Sequence, residues 1–151
     1  MIKMSRICVV LLVLVSGCML DPLGVNFTAD VDGKQFQAVY ATWQENPSTS
    51  QIIAVDVNLK MFTISIPGNL EEGTYVLGLV GSEASAIYID ILQQKLYVSQ
   101  SGILDITSKT SEGITGTFDM VLMDIDLLGG ESTQEVTNGV FDLPSVPDPE
   151  M

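Results

Sequence analysis

Apolar and polar residues alternate with a period of two along most of the chain after residue 24. In residues 62–66, phenylalanine and isoleucine alternate with hydroxyl residues, and in residues 87–91 three isoleucines alternate with Tyr88 and Asp90. Successive side chains of a strand point to opposite faces, so this spacing predicts half-buried β-strands. No stretch has the spacing of an amphipathic helix. The pattern therefore predicts an all-β fold.

Turn signals separate the alternating segments at intervals of about eight to twelve residues, which is typical of antiparallel sandwiches and barrels. The strongest signal is Asp32-Gly33, because this dipeptide readily adopts the positive φ angles of a two-residue hairpin turn. Further turns are predicted about residues 58–59 and at Ser101-Gly102. The chain is predicted to be an antiparallel β-sandwich or a partly open barrel of about ten short strands.

The segment ITGTFDMVLMDIDL is predicted to be one long strand with an irregularity near its end. Its even-numbered positions are apolar as far as Leu122, whereas its odd-numbered positions are apolar from Met123 onward. A β-bulge between these two residues would exchange the two faces. Asp124 and Asp126 would then lie on one face, about 7 Å apart by strand rise.

Residues 1–17 have the features of a secretory signal peptide. Lys3 and Arg6 supply the positive charge, residues 7–15 are apolar, and Ser16 and Gly17 are the small residues of a cleavage site. A transmembrane helix needs about 20 apolar residues, so this apolar run is too short to span a bilayer. The segment is therefore predicted to direct secretion and to be removed.

The sequence Val15-Ser16-Gly17-Cys18 resembles the lipobox of bacterial lipoproteins. This resemblance implies a diacylglycerol group on the Cys18 thiol and an acylated new N-terminus, so that the acyl chains bind the membrane. The predicted organisation is a signal peptide at 1–17, a lipidated tether at 18–23, an antiparallel β domain at 24–143 and a disordered tail at 144–151. The predicted location is the cell envelope, anchored to the outer membrane on its periplasmic or surface face.

Charge and cysteine content exclude several classes of protein. Removal of residues 1–17 takes Lys3 and Arg6 and leaves four lysines against 19 acids, a formal net charge of −15. Such a chain repels phosphate, so no nucleic-acid partner is expected. Cys8 leaves with the signal peptide and Cys18 is acylated, so neither a disulfide nor a cysteine-based site is predicted.

Histidine is absent, which removes imidazole catalysis and histidine metal sites. Asp124 and Asp126 are the best candidates for a carboxylate pair of the kind that hydrolyses glycosides, although their neighbours are apolar. Asp30, Asp32 and Gly33 are similar to the start of a calcium loop, but Ala41 stands nine residues after Asp32 and the closing glutamate is missing. No catalytic residue, metal ligand or cofactor is therefore predicted.

Two further features have more than one interpretation. Trp43 lies where a predicted strand gives way to a loop, so it is either a half-buried lid on the core, which we favour, or an exposed platform for a sugar ring. Met120 and Met123 either fill the core or line a pliable pocket, and filling the core is the commoner role. The four tyrosines, Tyr40, Tyr75, Tyr88 and Tyr97, are predicted to lie in strands.

The segments FTADVDGKQFQA, FTISIPG, EEGTYVL, YVSQSGILDIT, GITGTFDMVL and VTNGVFDL occur in this order over roughly residues 26–142. Their order resembles a domain-of-unknown-function family of small lipoproteins from Bacteroidota-type Gram-negative bacteria. The resemblance implies a compact β domain at an envelope address, with no established activity.

These observations predict a lipid-anchored envelope protein that is not an enzyme and acts as a binding or structural accessory. Another envelope protein is a candidate partner. Two alternatives remain: a lipocalin-like carrier of a small apolar ligand, which requires a closed barrel around an apolar cavity above about 300 Å³, and a carboxylate-dependent hydrolase, which requires two acids facing each other across a cleft.

Overall fold

A computed structural model describes residues 26–79, 82–125 and 132–144, and these residues form nine β-strands. All pairings between the strands are antiparallel, which confirms the predicted fold class. The described residues contain no helix of the length and apolarity that a membrane span requires. The strands are β1 (Asn26–Val31), β2 (Lys34–Gln44), β3 (Thr49–Asp56), β4 (Lys60–Pro67), β5 (Gly73–Leu77), β6 (Ser85–Asp90), β7 (Lys95–Thr110), β8 (Gly113–Asp124) and β9 (Thr133–Pro144).

The sheet closes on itself. Neighbouring strands pair in the order β7-β6-β4-β3-β2-β1-β9-β8, and β8 pairs back with β7. Eight strands thus form a barrel, and β5 is an additional strand beside the second half of β7. Of the two predicted architectures the chain has the barrel, and the barrel is closed rather than partly open.

Two predicted hairpin turns are confirmed by the backbone. Asp32 and Gly33 have φ angles of 51° and 82°, so the β1–β2 turn has the two positive values that Asp-Gly favours. The β3–β4 turn occupies residues 57–59, and Leu59 has a φ of 62°. Both turns therefore lie where their sequences place them.

The turn predicted at Ser101-Gly102 is wrong, because both residues lie inside the single strand β7. The pairing of β7 with β8 shifts register between Ser99 and Ser101, as at a β-bulge, and Gly102 has a φ of 149°. A Cβ atom at Gly102 would collide with the backbone of Asp119 and Met120 on β8. The glycine therefore allows two strands to approach closely. Because two of the ten predicted strands form the single strand β7, the described residues contain nine strands.

The face exchange predicted within β8 is also wrong. The even-numbered residues of β8 stay buried through Met120, Leu122 and Asp124, and Met123 is only partly buried. The β8–β9 pairing shifts register earlier, between Phe118 and Met120. Asp124 therefore points into the barrel, on the same side as Met120 and Leu122.

Aromatic rings fill the barrel interior. All five phenylalanines of the chain are buried and contact one another, with ring centroids 5.1 Å apart for Phe27 and Phe118 and 5.0 Å apart for Phe36 and Phe62. Tyr88 packs on Phe62 at 4.6 Å and continues the cluster toward one end of the barrel. Met120 is buried in this core, which confirms the core-filling interpretation for that residue.

The two ends of the barrel differ. The β1–β2, β3–β4, β6–β7 and β8–β9 connections all lie at one end, which we call the mouth. At the other end, the base, β1 begins and β9 ends. Trp43 lies at the base, half-buried against the core, and its indole nitrogen donates a hydrogen bond to the Pro144 carbonyl at 3.1 Å. This confirms its predicted role as a core lid.

Candidate functional site

The four hairpins that meet at the mouth each carry an aspartate at the end of the first strand or directly after it. Three of them also carry a lysine as the first residue of the returning strand. Acidic and basic side chains therefore occur together around the mouth, although the chain as a whole is strongly acidic. The aspartates are Asp32, Asp56, Asp90 and Asp124, and the lysines are Lys34, Lys60 and Lys95.

A pocket of about 420 Å³ opens at the mouth. Its buried end is formed by Phe36, Tyr88 and Tyr97, which belong to three different strands. The remaining lining is almost entirely polar and comes from side chains of all four hairpins: Asp32, Lys34, Gln35, Asp56, Asn58, Lys60, Asp90, Gln93 and Gln134. The pocket is thus an aromatic floor surrounded by carboxylates, amides and amines.

Asp56 is buried and holds the β3–β4 turn in shape. Its Oδ1 atom accepts hydrogen bonds from the backbone N–H of Asn58 at 2.8 Å and of Lys60 at 2.9 Å. An aspartate at the start of a tight turn commonly satisfies turn amides in this way. The same bonds fix where the Asn58 and Lys60 side chains enter the pocket.

Asp90 performs the corresponding role in the β6–β7 hairpin. Its Oδ1 atom accepts a hydrogen bond from the Gln93 backbone N–H at 3.1 Å. Its Oδ2 atom lies 3.9 Å from the Lys60 amine, whose side chain is partly exposed. This long ion pair joins two neighbouring hairpins, and both of its partners line the pocket.

Asp124 and Lys95 form the tightest ion pair of the mouth. The Lys95 amine lies 3.0 Å from Asp124 Oδ2, which also accepts a hydrogen bond from the Ser132 hydroxyl at 3.3 Å. The Asp124 side chain is 3% exposed, whereas that of Lys95 is 40% exposed. The pair therefore ties β7 to β8, with its carboxylate inside the barrel.

Two tyrosines at the floor of the pocket keep their protons more strongly than free tyrosine. Burial raises the pKa of Tyr88, and the nearby carboxylates of Asp56 and Asp90 raise it further. Burial and then Asp124 raise the pKa of Tyr97, against an opposing effect of Lys95. The Tyr97 hydroxyl accepts a hydrogen bond from the Gln134 side-chain amide at 3.1 Å. Both tyrosines therefore present neutral hydroxyl groups.

We expect the protein to lose stability as the pH rises above about 10, with Tyr88 as one cause. An unfolded tyrosine releases its proton near pH 10, whereas folded Tyr88 retains it, so the unfolded state binds fewer protons in this range and is favoured. Unfolding free energies measured from about pH 9 to pH 11 should fall less steeply for Tyr88→Phe than for the parent. Equal slopes for the two proteins would contradict a contribution of Tyr88 to this loss of stability.

Only some of the residues singled out from the sequence lie in the part of the chain that the structure describes. Cys18 and Asp126 lie outside the described residues, as do residues 80–81, the signal peptide and residues 145–151 of the tail; Pro144, predicted to begin that tail, is the last residue of β9. Asp124 forms an ion pair with Lys95.

Asp30 and Asp32, which resemble the start of a calcium loop, bind separate protein partners. Asp30 accepts a hydrogen bond from the Asn138 amide at 3.0 Å, and Asp32 accepts one from the Glu135 backbone N–H at 2.8 Å. Gly33 belongs to the hairpin turn. Among residues 26–79, 82–125 and 132–144, no group of three or more acids, cysteines or histidines is placed to hold a metal ion.

The pocket itself was not predicted, yet the sequence carries a signal for it. The motifs Asp-Gly-Lys, Asp-Val-Asn-Leu-Lys and Asp-Ile-Leu-Gln-Gln-Lys occupy three hairpins, each beginning with an aspartate and ending with a lysine. Hairpins of a closed barrel that share this pattern bring their charges together at one end. Recognising the repeat requires knowing that the three hairpins lie at the same end.

The fold and the pocket define a closed, antiparallel β-barrel protein with a polar site at its mouth. Residues 25–144 match the family described as Domain of unknown function (DUF6252), and the chain belongs to that family. This confirms the predicted membership of a domain-of-unknown-function family. No curated protein matches the chain, and no solved structure does.

Proposed function

We propose that this protein is a lipid-anchored, non-catalytic binding protein of the bacterial cell envelope that holds a small polar ligand in its mouth pocket. The observation that carries the proposal is the pocket of about 420 Å³, which lies within the range of small-molecule sites and combines an aromatic floor with converging polar groups. The lipobox-like sequence ending at Cys18 supports the anchored location.

The lining of the pocket favours a polar ligand over an apolar one. An apolar molecule would cover the carboxylates, amides and tyrosine hydroxyls without replacing their hydrogen bonds to water, which costs free energy for each group. The interior below the pocket is occupied by the phenylalanine cluster. The lipocalin-like alternative therefore has the closed barrel that it needs but gains no support from the pocket.

The charges favour a ligand with several hydrogen-bonding groups and little net charge. Lys60 and Asp90 lie side by side on neighbouring strands and both line the pocket, so a hydroxylated or zwitterionic molecule can contact both. Asp56 and Asp90 accept hydrogen bonds from amides of their own turns. That arrangement supports a positioning role for these carboxylates rather than the proton transfer that a hydrolase requires.

The test is a titration of the isotope-labelled protein with glucose, galactose, glycine and lysine, followed by backbone amide shifts. A ligand should move the amides of Asn58, Lys60 and Gln93 and leave those at the base unchanged. Gln93→Ala removes a pocket amide and should weaken binding about tenfold, as expected for a lost hydrogen bond of about 1.4 kcal/mol.

Gln37→Ala is the matched control, because Gln37 is also exposed but faces outward from β2. It should leave the affinity unchanged. If no probe moves the mouth amides, or if the two substitutions have equal effects, the mouth is not the binding site.

A further inference from the structure

One outer wall of the barrel carries no charge and is apolar at the end nearest the mouth. Val55 on β3, Met61 on β4, Ile89 on β6 and Leu96 on β7 lie side by side by strand register. No acidic or basic residue occupies an outward-facing position of β3, β4 or β6, strands that the structure describes in full. We call this surface the apolar wall, and define it by Val55, Met61, Ile87, Ile89 and Leu96.

The most exposed apolar residues extend the wall beyond the barrel. Val57 in the β3–β4 turn is 71% exposed, and Leu92 in the β6–β7 turn is 68% exposed. Ile125, also exposed, follows β8 and donates its backbone N–H to the Leu96 carbonyl at 3.2 Å. Soluble monomers rarely expose contiguous apolar patches beyond a few hundred Å², and larger ones mark contacts with a protein or a membrane.

The opposite wall is acidic. Outward-facing positions of β1, β8 and β9 carry Asp30, Asp119, Glu135 and Asp142. The barrel therefore has a charge-free side and a negatively charged side. A lipid surface, whose phosphate groups repel acidic residues, would meet the first side and not the second.

The composition of the wall favours lipid over a protein partner. Protein interfaces draw most of their binding energy from tryptophan, tyrosine and arginine, whereas the wall consists of aliphatic side chains and Met61. It offers no charged group to fix the register of a partner. Aliphatic side chains without charge gain free energy in hydrocarbon and need no specific geometry there.

The chain outside the described residues also favours this occupant. Seven residues, 19–25, lie between Cys18 and the start of β1 at Asn26, and the fully extended chain from Cys18 to Asn26 reaches at most about 29 Å. A strand of six residues such as β1 is about 17 Å long by strand rise. A tether longer than β1 lets the barrel lie on its side against the bilayer that holds the acyl chains. This step rests on the proposed anchor, whereas the wall itself does not.

We propose that the apolar wall lies against the lipid bilayer, so that the barrel rests on its side with its acidic wall facing the water. Binding through this wall depends on apolar burial and not on anionic lipids, because the wall has no basic residue. Val57 and Leu92, at the tips of the two turns, enter the lipid deepest.

The test uses the full lipidated chain in phosphatidylcholine vesicles, with a fluorophore attached to a single cysteine in a Cys8→Ser background. Ile87→Cys places the label on the apolar wall, and Val140→Cys is the matched control on the acidic side, because the two residues are 39% and 40% exposed. The Ile87 label should be several-fold less accessible to a water-soluble quencher than the Val140 label, and it should be quenched by a nitroxide-bearing lipid.

Equal access of the water-soluble quencher to both labels would overturn the proposal. An Ile87 label that is protected from water but not quenched by the lipid probe would also overturn it. Energy transfer between labelled copies would then show that a second copy covers the wall. A mass of the intact protein without acyl groups would refute the anchor alone. The same labels in a Cys18→Ser chain, added to vesicles, would still measure whether the wall contacts lipid.

Discussion

A Cys18→Ser chain is expected to lose all acyl labelling and most of its membrane-bound fraction. The lipobox-like sequence predicts that the Cys18 thiol receives the diacylglycerol group, and a serine hydroxyl cannot form the same thioether. Each buried methylene contributes about 0.8 kcal/mol, so one chain gives marginal binding and several chains hold the protein effectively irreversibly. Metabolic labelling with a radioactive fatty acid, followed by membrane fractionation, measures both effects.

Cys8→Ser is the matched control, because Cys8 is the only other cysteine and lies in the segment predicted to be removed. This substitution should leave both labelling and fractionation unchanged. Persistent labelling of Cys18→Ser, or loss of labelling in Cys8→Ser, would show that the acyl group is attached elsewhere.

Local sequence predicted the strands well because strand formation leaves a period-two pattern in the residues themselves. The β1–β2 turn at Asp32-Gly33 could be located for the same reason, since a two-residue turn needs positive φ angles that few dipeptides adopt. Gly102 shows the limit of this reasoning. Glycine occurs both in turns and where strands approach closely, and only the neighbouring backbone of Asp119 shows which applies.

Barrel closure was beyond local prediction because it depends on pairing between β1 and β9, the first and last strands that the structure describes. A sandwich and a barrel place the same alternating residues inward, so both fitted the pattern equally. The pairing of β1 with β9, which runs from Asn26 opposite Asp142 to Val31 opposite Val136, decides between them. Such contacts are set by the three-dimensional path of the chain rather than by any one segment.

The pocket was missed because the aspartates at the strand ends were assumed not to face inward. Asp56, Asp90 and Asp124 each occupy the last inward position of a strand, where a carboxylate can be buried and still bind turn amides or a lysine. In β8 this assumption also led to a face exchange that the strand does not make. At strand ends, the place of a residue in the inward–outward alternation predicts the direction of its side chain better than its charge does.

Replacement of Phe27 with alanine is expected to lower the free energy of unfolding by about 3–5 kcal/mol, the usual effect of removing a buried aromatic ring. Phe27 is 1% exposed and contacts the rings of Phe36, Phe62, Phe118 and Phe141, with centroid distances from 5.1 to 6.3 Å. Its loss would leave a cavity among four aromatic rings on four other strands. Urea denaturation followed by near-ultraviolet circular dichroism measures the change.

Phe27→Leu and Thr28→Ala separate the causes of this loss. Leucine keeps much of the buried volume, so its effect should be less than half that of alanine. Thr28 is the next residue of β1 and points away from the core, so Thr28→Ala should change stability by only about 0.5 kcal/mol. A loss below about 1 kcal/mol for Phe27→Ala would contradict the aromatic cluster as the centre of the barrel. It would mean that the surrounding residues fill the space left by the ring at little cost to stability.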